Sequence, residues 1–127
     1  MPIVGVGTDV VAVRRFTRLV ERGGRRFLDR WFRPAEVEAL LAHSEPARHT
    51  AARFAAKEAV LKALRVPDIG PVRWQEIEIT HGPDGRVGVL LHGSLRGIAD
   101  TAGASNFQVS MTHAGACAMA TVVAQSS

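Results

Sequence analysis

The chain has 127 residues, 46% of them hydrophobic and 22% charged, with a formal net charge of +4. No apolar run approaches the ~18 residues of a membrane span, and the composition excludes a disordered tail, so a single domain over 1–127 with its own core is expected. A chain of this size buries roughly two-thirds of its extended surface on folding, which leaves little material for a deep private cleft and favours a site shared between subunits.

Met1 to Asp9 lacks the basic and apolar regions of a secretory leader, making the cytoplasm the expected compartment. Ile3 to Thr8 is short, β-branched and glycine-interrupted, a buried strand that places Asp9 at a strand-to-helix junction. From Val10 to Glu21, Val13, Phe16 and Val20 recur at helical spacing while Arg15, Arg18 and Arg22 share another face, and Gly23-Gly24 stops the helix. Eight arginines lie between Arg14 and Arg33 against only Glu21 and Asp29. That end of the chain is built to meet an anion, either an acidic protein surface or a nucleic acid.

Arg25 to Phe32 reads as a short helix or turn, and Pro34 suits the first turn of another helix running to Leu41. After the break at Ser44-Glu45-Pro46, the alanine-rich stretch from Ala47 to Leu64 forms a long helix closed by Pro67 and Gly70. Glu58, four residues after Phe54 and three before Leu61, belongs at the edge of the core. Glu76 to His81 and Arg86 to His92 flank Gly82-Pro83-Asp84-Gly85 as a hairpin, with a bulge or turn between Trp74 and Ile77. Gly93 to Ala102 has helical spacing, Phe107 to Met111 alternates as a strand that delivers His113, and Ala118 to Ala124 is a last apolar strand. The lone Cys117 permits no intramolecular disulfide and is expected to be a small buried residue. The whole reads as an α+β domain.

Three patterns could carry chemistry. Gly5-Val6-Gly7-Thr8-Asp9 lets the backbone approach a neighbour closely and presents a carboxylate at a strand end, although Asp9 alone could simply cap a helix. Within Arg53-Phe54-Ala55-Ala56-Lys57-Glu58-Ala59-Val60-Leu61-Lys62-Ala63, Glu58 and Lys62 stand four residues apart in the order that makes a helix ion pair. Val109-Ser110-Met111-Thr112-His113, followed by Ala118-Met119-Ala120, ends on a histidine that by itself is as readily structural as catalytic.

In type, order and spacing these three patterns resemble the holo-acyl-carrier-protein synthase family, the small 4′-phosphopantetheinyl transferases. That family has G-x-D near the N-terminus, F-x-x-K-E-A-x-x-K-A on a long helix, and S-H-x-x-x-x-A-x-A near the C-terminus. Gly7-Thr8-Asp9 and Phe54 to Ala63 match the first two, and Thr112 to Ala120 matches the third except that Thr112 replaces its serine, a mild departure. The resemblance implies a long helix packed on a largely antiparallel sheet, a homotrimer with sites between subunits, and transfer of phosphopantetheine from coenzyme A to a serine of an apo acyl carrier protein. It implies further that Asp9 and Glu58 hold Mg²⁺ with pyrophosphate oxygens and water, a donor set that suits a hard cation.

By the same resemblance, Lys62 and His113 face coenzyme A phosphates, and Arg53, Arg48 and His49 stand where groups surround the nucleotide. The general base stays open, water held at the metal being as suitable as Lys62 or His113. Arg15, Arg18, Arg22 and Arg26 become docking groups for an acidic carrier, steered by charge and weakened by salt. The family's place is fatty acid biosynthesis, with a secondary-metabolism carrier as the alternative substrate. Two departures stand out: Arg65-Val66-Pro67-Asp68 replaces a glycine-containing phosphate loop, and Val87 replaces a usual proline, so nucleotide contacts at 65–70 and 86–87 are open. A nucleic-acid-binding module explains the arginines and little else, since the chain has only two lysines, Lys57 and Lys62, and both fall within the pattern on the long helix. A nucleotide hydrolase using the same carboxylates is the other rival.

Overall fold

The computed structural model describes residues 1–66 and 73–127. Five strands and four α-helices follow one another as β1 (Ile3–Ala12), α1 (Val13–Trp31), α2 (Pro34–Leu41), α3 (Pro46–Ala63), a 3-10 turn (Trp74–Glu76), β2 (Ile77–His81), β3 (Val87–Leu91), α4 (Gly93–Ala102), β4 (Asn106–Ala114) and β5 (Cys117–Gln125). All pairings are antiparallel, giving one sheet in the order β1-β5-β4 and a separate β2-β3 hairpin. The α+β expectation holds, with the sheet divided in two.

The alanines of α3 explain the arrangement. Between Thr50 and Leu61 every residue is buried except Glu58, which is half-buried, so this helix is the core of the molecule. Small side chains let strand and helix come close, and glycines on β1 let them come closer. A Cβ on Gly7 would stand 1.9 Å from the Ala59 carbonyl oxygen, and one on Gly5 1.9 Å from that of Ala63. Because residues i, i+2 and i+4 of a strand share a face, Gly5, Gly7 and Asp9 all point toward α3.

Several local expectations are corrected. β1 runs on to Ala12, so Asp9 lies inside the strand opposite Ala120 and caps nothing; the helix starts at Val13. As expected, the helical geometry stops at the glycine pair: Gly24, with φ of 52° and ψ of −135°, is not helical, and α1 is two helical segments meeting at a kink there. Cys117 is exposed at the β4–β5 turn, because the two-residue period turns it away from the face that buries Ala118. The expected turn before Ile77 is the 3-10 turn, and Gly82 to Arg86 closes the hairpin through a 2.7 Å backbone hydrogen bond. Pro67 and Gly70, expected to close the long helix, lie outside the described residues, as does the loop expectation from 67 onward. Among the described residues no helix is long and apolar enough to cross a membrane.

Candidate active site

α3 opens to solvent at Glu58 and Lys62, and β1 brings Asp9 to that opening. Lys62 Nζ donates to Asp9 Oδ1 at 2.9 Å and to the Thr8 carbonyl at 3.0 Å, tying helix to strand. It thus pairs with Asp9, and the helix ion pair between Glu58 and Lys62 does not form. Glu58 has no hydrogen bond or ion pair among the described residues. Burial pushes its carboxyl above the usual range, the nearby Asp9 pushes it the same way, and Lys62 and Arg15 pull it back. A half-buried carboxylate left unpaired beside a second one is poorly stabilised as it stands, and a cation beside Glu58 would relieve it. Two carboxylates without a third metal-ligating side chain, none being gathered among the described residues, suit Mg²⁺, which completes its shell with water and phosphate oxygens.

A second group of cationic side chains lies on another side of α3, since five residues from Arg53 to Glu58 turn the helix by about 140°. Arg53 is only 8% exposed, and its Nη2 donates to His81 Nε2 at 2.8 Å on the end of β2. No carboxylate pairs with it among the described residues. His113, the last residue but one of β4, stands opposite Ala118, on the sheet face that also carries Asp9 and about 10 Å across the sheet from β1. It is close enough to His49 to lower that imidazole's pKa. Arg48 lies beside His49 and is held 3.5 Å from Glu45. The candidate residues therefore form two groups: Asp9, Glu58 and Lys62 in one, Arg48, Arg53 and His113 in the other.

The arginines of α1 also divide. Arg25 is bound to Glu38 at 2.6 Å, whereas Arg15, Arg18, Arg22 and Arg26 make no ion pair among the described residues and are exposed. Arg15 leans over Phe54, its guanidinium carbon 5.6 Å from the ring centre, and reaches the field of Glu58. The stripe thus ends at the carboxylate opening.

Sequence reasoning missed Lys57. Its ammonium is fully buried and faces four acceptors: Glu36 Oε1 and the carbonyls of Trp31, Trp74 and Ile77, at 2.6–3.0 Å. Glu36 also accepts from the backbone N–H of Arg33 and Ile79. One ion pair thus clips α1, α2, α3 and β2 together. Lys57 carried a signal, since it lies on the apolar side of the helix away from Lys62, but nothing in the sequence marked Glu36 as its partner.

A sequence profile of the 4′-phosphopantetheinyl transferase superfamily matches residues 5–120. The holo-[acyl-carrier-protein] synthase of Moorella thermoacetica is 43% identical over 121 residues, 95% of this chain and 93% of that protein. The enzyme of the same name from Salinispora arenicola is 42% identical over 123 residues, 97% of this chain and 98% of that one. Among solved structures, holo-[acyl-carrier-protein] synthase from Neisseria meningitidis superposes with a TM-score of 0.85 at 32% identity, covering 98% of this chain and 99% of that one. The Helicobacter pylori enzyme in complex with coenzyme A gives 0.79 at 29% identity, covering 94% and 99%.

Proposed function

Since the chain belongs to the 4′-phosphopantetheinyl transferase superfamily, we propose, from its geometry and its relatives together, how it carries out the transfer of phosphopantetheine from coenzyme A to an acyl carrier protein. The observation that carries the reading is the Glu58 carboxylate, unpaired among the described residues and close to Asp9, where the buried stretch of α3 from Thr50 to Leu61 is interrupted.

The carrier's serine hydroxyl attacks the β-phosphorus of coenzyme A. A bond forms between serine oxygen and phosphorus, the phosphorus–oxygen bond to adenosine 3′,5′-bisphosphate breaks, and the serine proton leaves to a base. Asp9 and Glu58 would hold Mg²⁺, which when bound supplies Lewis-acid polarisation of the pyrophosphate and charge screening. Lys62, already anchored to Asp9, stands one helical turn from Glu58, where its ammonium can offset charge growing on the phosphate oxygens. His113, Arg53 and Arg48 take the nucleotide end. The unpaired arginines Arg15, Arg18, Arg22 and Arg26 receive the acidic carrier beside the carboxylate opening.

The active unit is a homotrimer. Support comes from two features: the outer face of the β1-β5-β4 sheet leaves Val6, Val10 and Met119 exposed, and the two groups of site residues occupy different sides of α3. Association through that face would set one group of one copy against the other group of the next. The compartment is the cytoplasm, the domain spans 1–127, and the carrier is that of fatty acid biosynthesis.

Incubation of apo acyl carrier protein with coenzyme A, Mg²⁺ and the enzyme is expected to raise the carrier's mass by one phosphopantetheine, and a chelator to prevent it. Absence of a mass gain on both fatty-acid and secondary-metabolism carriers overturns the reading. Gain on the latter alone moves the substrate assignment.

A further inference from the structure

α3 and α4 end in the same kind of turn. After α4 the Gly103 N–H donates to the Asp100 carbonyl at 3.1 Å and the Ala104 N–H to that of Ala99 at 2.9 Å. After α3 the Arg65 N–H donates to the Lys62 carbonyl at 3.1 Å and the Val66 N–H to that of Leu61 at 3.0 Å. This closure puts one residue in the left-handed region, which glycine adopts without a steric penalty. α4 is followed there by Gly103, with φ of 79°, but α3 by Arg65, with φ of 55°, the only non-glycine residue at positive φ among the described residues. The central helix thus ends on a strained backbone where the other ends on a relaxed one, and strain of this kind gathers at functional sites.

Stability gives no reason for the arginine. A cation near a helix C-terminus counters the dipole, but Lys62 already does so from the last turn with regular backbone. Arg65 is exposed and forms no ion pair among the described residues, so no buried contact offsets the strain. Its place on the helix is informative. Arg65 comes seven residues after Glu58 and three after Lys62, which sets it about 20° and about 60° round the axis from them, on one face. Between Thr50 and Arg65, these three are the only residues that are not buried. Lys62 is committed to Asp9 and the Thr8 carbonyl, and the cations acting on Glu58 are Lys62 and Arg15. Arg65 is the cation of this face that neither acid holds.

We propose that Arg65 is a further catalytic residue of the transfer: its guanidinium donates to the diphosphate of coenzyme A and offsets the charge that the departing adenosine 3′,5′-bisphosphate takes on. As the serine oxygen bonds to phosphorus, the electron pair of the breaking phosphorus–oxygen bond goes to the leaving phosphate oxygen. The guanidinium keeps its protons, and its forked donors can reach two phosphate oxygens where an ammonium gives a point charge. The proposal rests on the reading of coenzyme A as co-substrate, and it adds a residue outside the pattern on α3, which ends at Ala63. The strain persists because glycine, which would relax the turn, supplies no charge.

Arg65→Gly relaxes the turn and removes the charge together, so stability and activity should move in opposite directions. The unfolding midpoint is expected to rise by about 2–5 °C. The kcat for transfer should fall about 10²-fold, with KM for the carrier within about twofold. Affinity for adenosine 3′,5′-bisphosphate, read by titration calorimetry, should fall about tenfold. Arg65→Ala keeps the unfavourable backbone and should show the same losses without the rise in midpoint. Arg65→Lys keeps the charge and should fall between these variants and the wild type. An Arg65→Gly enzyme with wild-type kcat and product affinity overturns the proposal while leaving coenzyme A as substrate. A lowered midpoint in both the glycine and alanine variants overturns it too, by making Arg65 a structural residue. A wild-type enzyme that transfers nothing from coenzyme A to either class of carrier overturns both readings.

Discussion

Lys57 and Glu58 are neighbours in sequence and opposites in circumstance. Lys57 is sealed from solvent with every hydrogen satisfied, Glu36 neutralising it and three carbonyls completing its shell. Glu58 looks out of the same helix beside another acid, with no partner among the described residues. One charge is spent inside the protein and the other is held available. A saturated buried pair ties elements together, while an unsatisfied group at an opening costs stability and is retained where a ligand completes it.

That contrast predicts opposite phenotypes. Glu58→Gln keeps the shape of the side chain and removes its charge; on the proposed metal-holding role, transfer should fall by about 10³-fold, with the unfolding midpoint unchanged or raised. Loss of folding would show that Glu58 belongs with Lys57 after all. Lys57→Met leaves Glu36 buried and uncompensated and should lower stability by about 3–5 kcal/mol in urea titrations. Any molecules still folded should bind coenzyme A, and a stable Lys57→Met protein with dead chemistry would break the comparison from the other side.

The titration of Lys57 sharpens it. Burial pushes this lysine down to about 8 from an ordinary 10.5, so between those values the unfolded chain binds a proton that the folded chain has released. Stability from this group therefore rises with pH across that window. Unfolding free energies measured from about pH 8 to pH 10 should climb in the wild type, and Lys57→Met with Glu36→Gln should lack that climb. The smallest effect concerns the outer arginines. Arg18→Glu with Arg22→Glu should raise KM for the carrier about tenfold, leave kcat within about twofold, and flatten the dependence of KM on salt.

What the sequence made legible follows the range of the interactions. Glu58 at the edge of a buried helix follows from spacing to Phe54 and Leu61, and the hairpin from Gly82-Pro83-Asp84-Gly85; both are local. The order Asp9, Glu58, Lys62, His113 was visible through motif resemblance, and the structure brings the first three together. Where β1 ends was not legible, because pairing of Val10, Val11 and Ala12 with Met119, Ala118 and Cys117 overrides their helical spacing, and those partners lie over a hundred residues away. The stop at Gly23-Gly24 was legible, since it depends on the glycine's own backbone, whereas the packing of Leu28 and Phe32 beyond it with Val37 and Leu40 of α2 was not. The Lys57–Glu36 pair spans two helices, and the His43–His49 stack depends on how one turn folds back; neither leaves a periodic trace.

The contact of Gly5 and Gly7 with the carbonyls of Ala63 and Ala59 has a consequence for how this centre can change. The spacing between Asp9 and Glu58 is set by one main chain resting on another, so larger or smaller core side chains elsewhere leave it alone. Attempts to widen the gap between these two carboxylates would therefore be limited less by the acids than by two residues that carry no functional group.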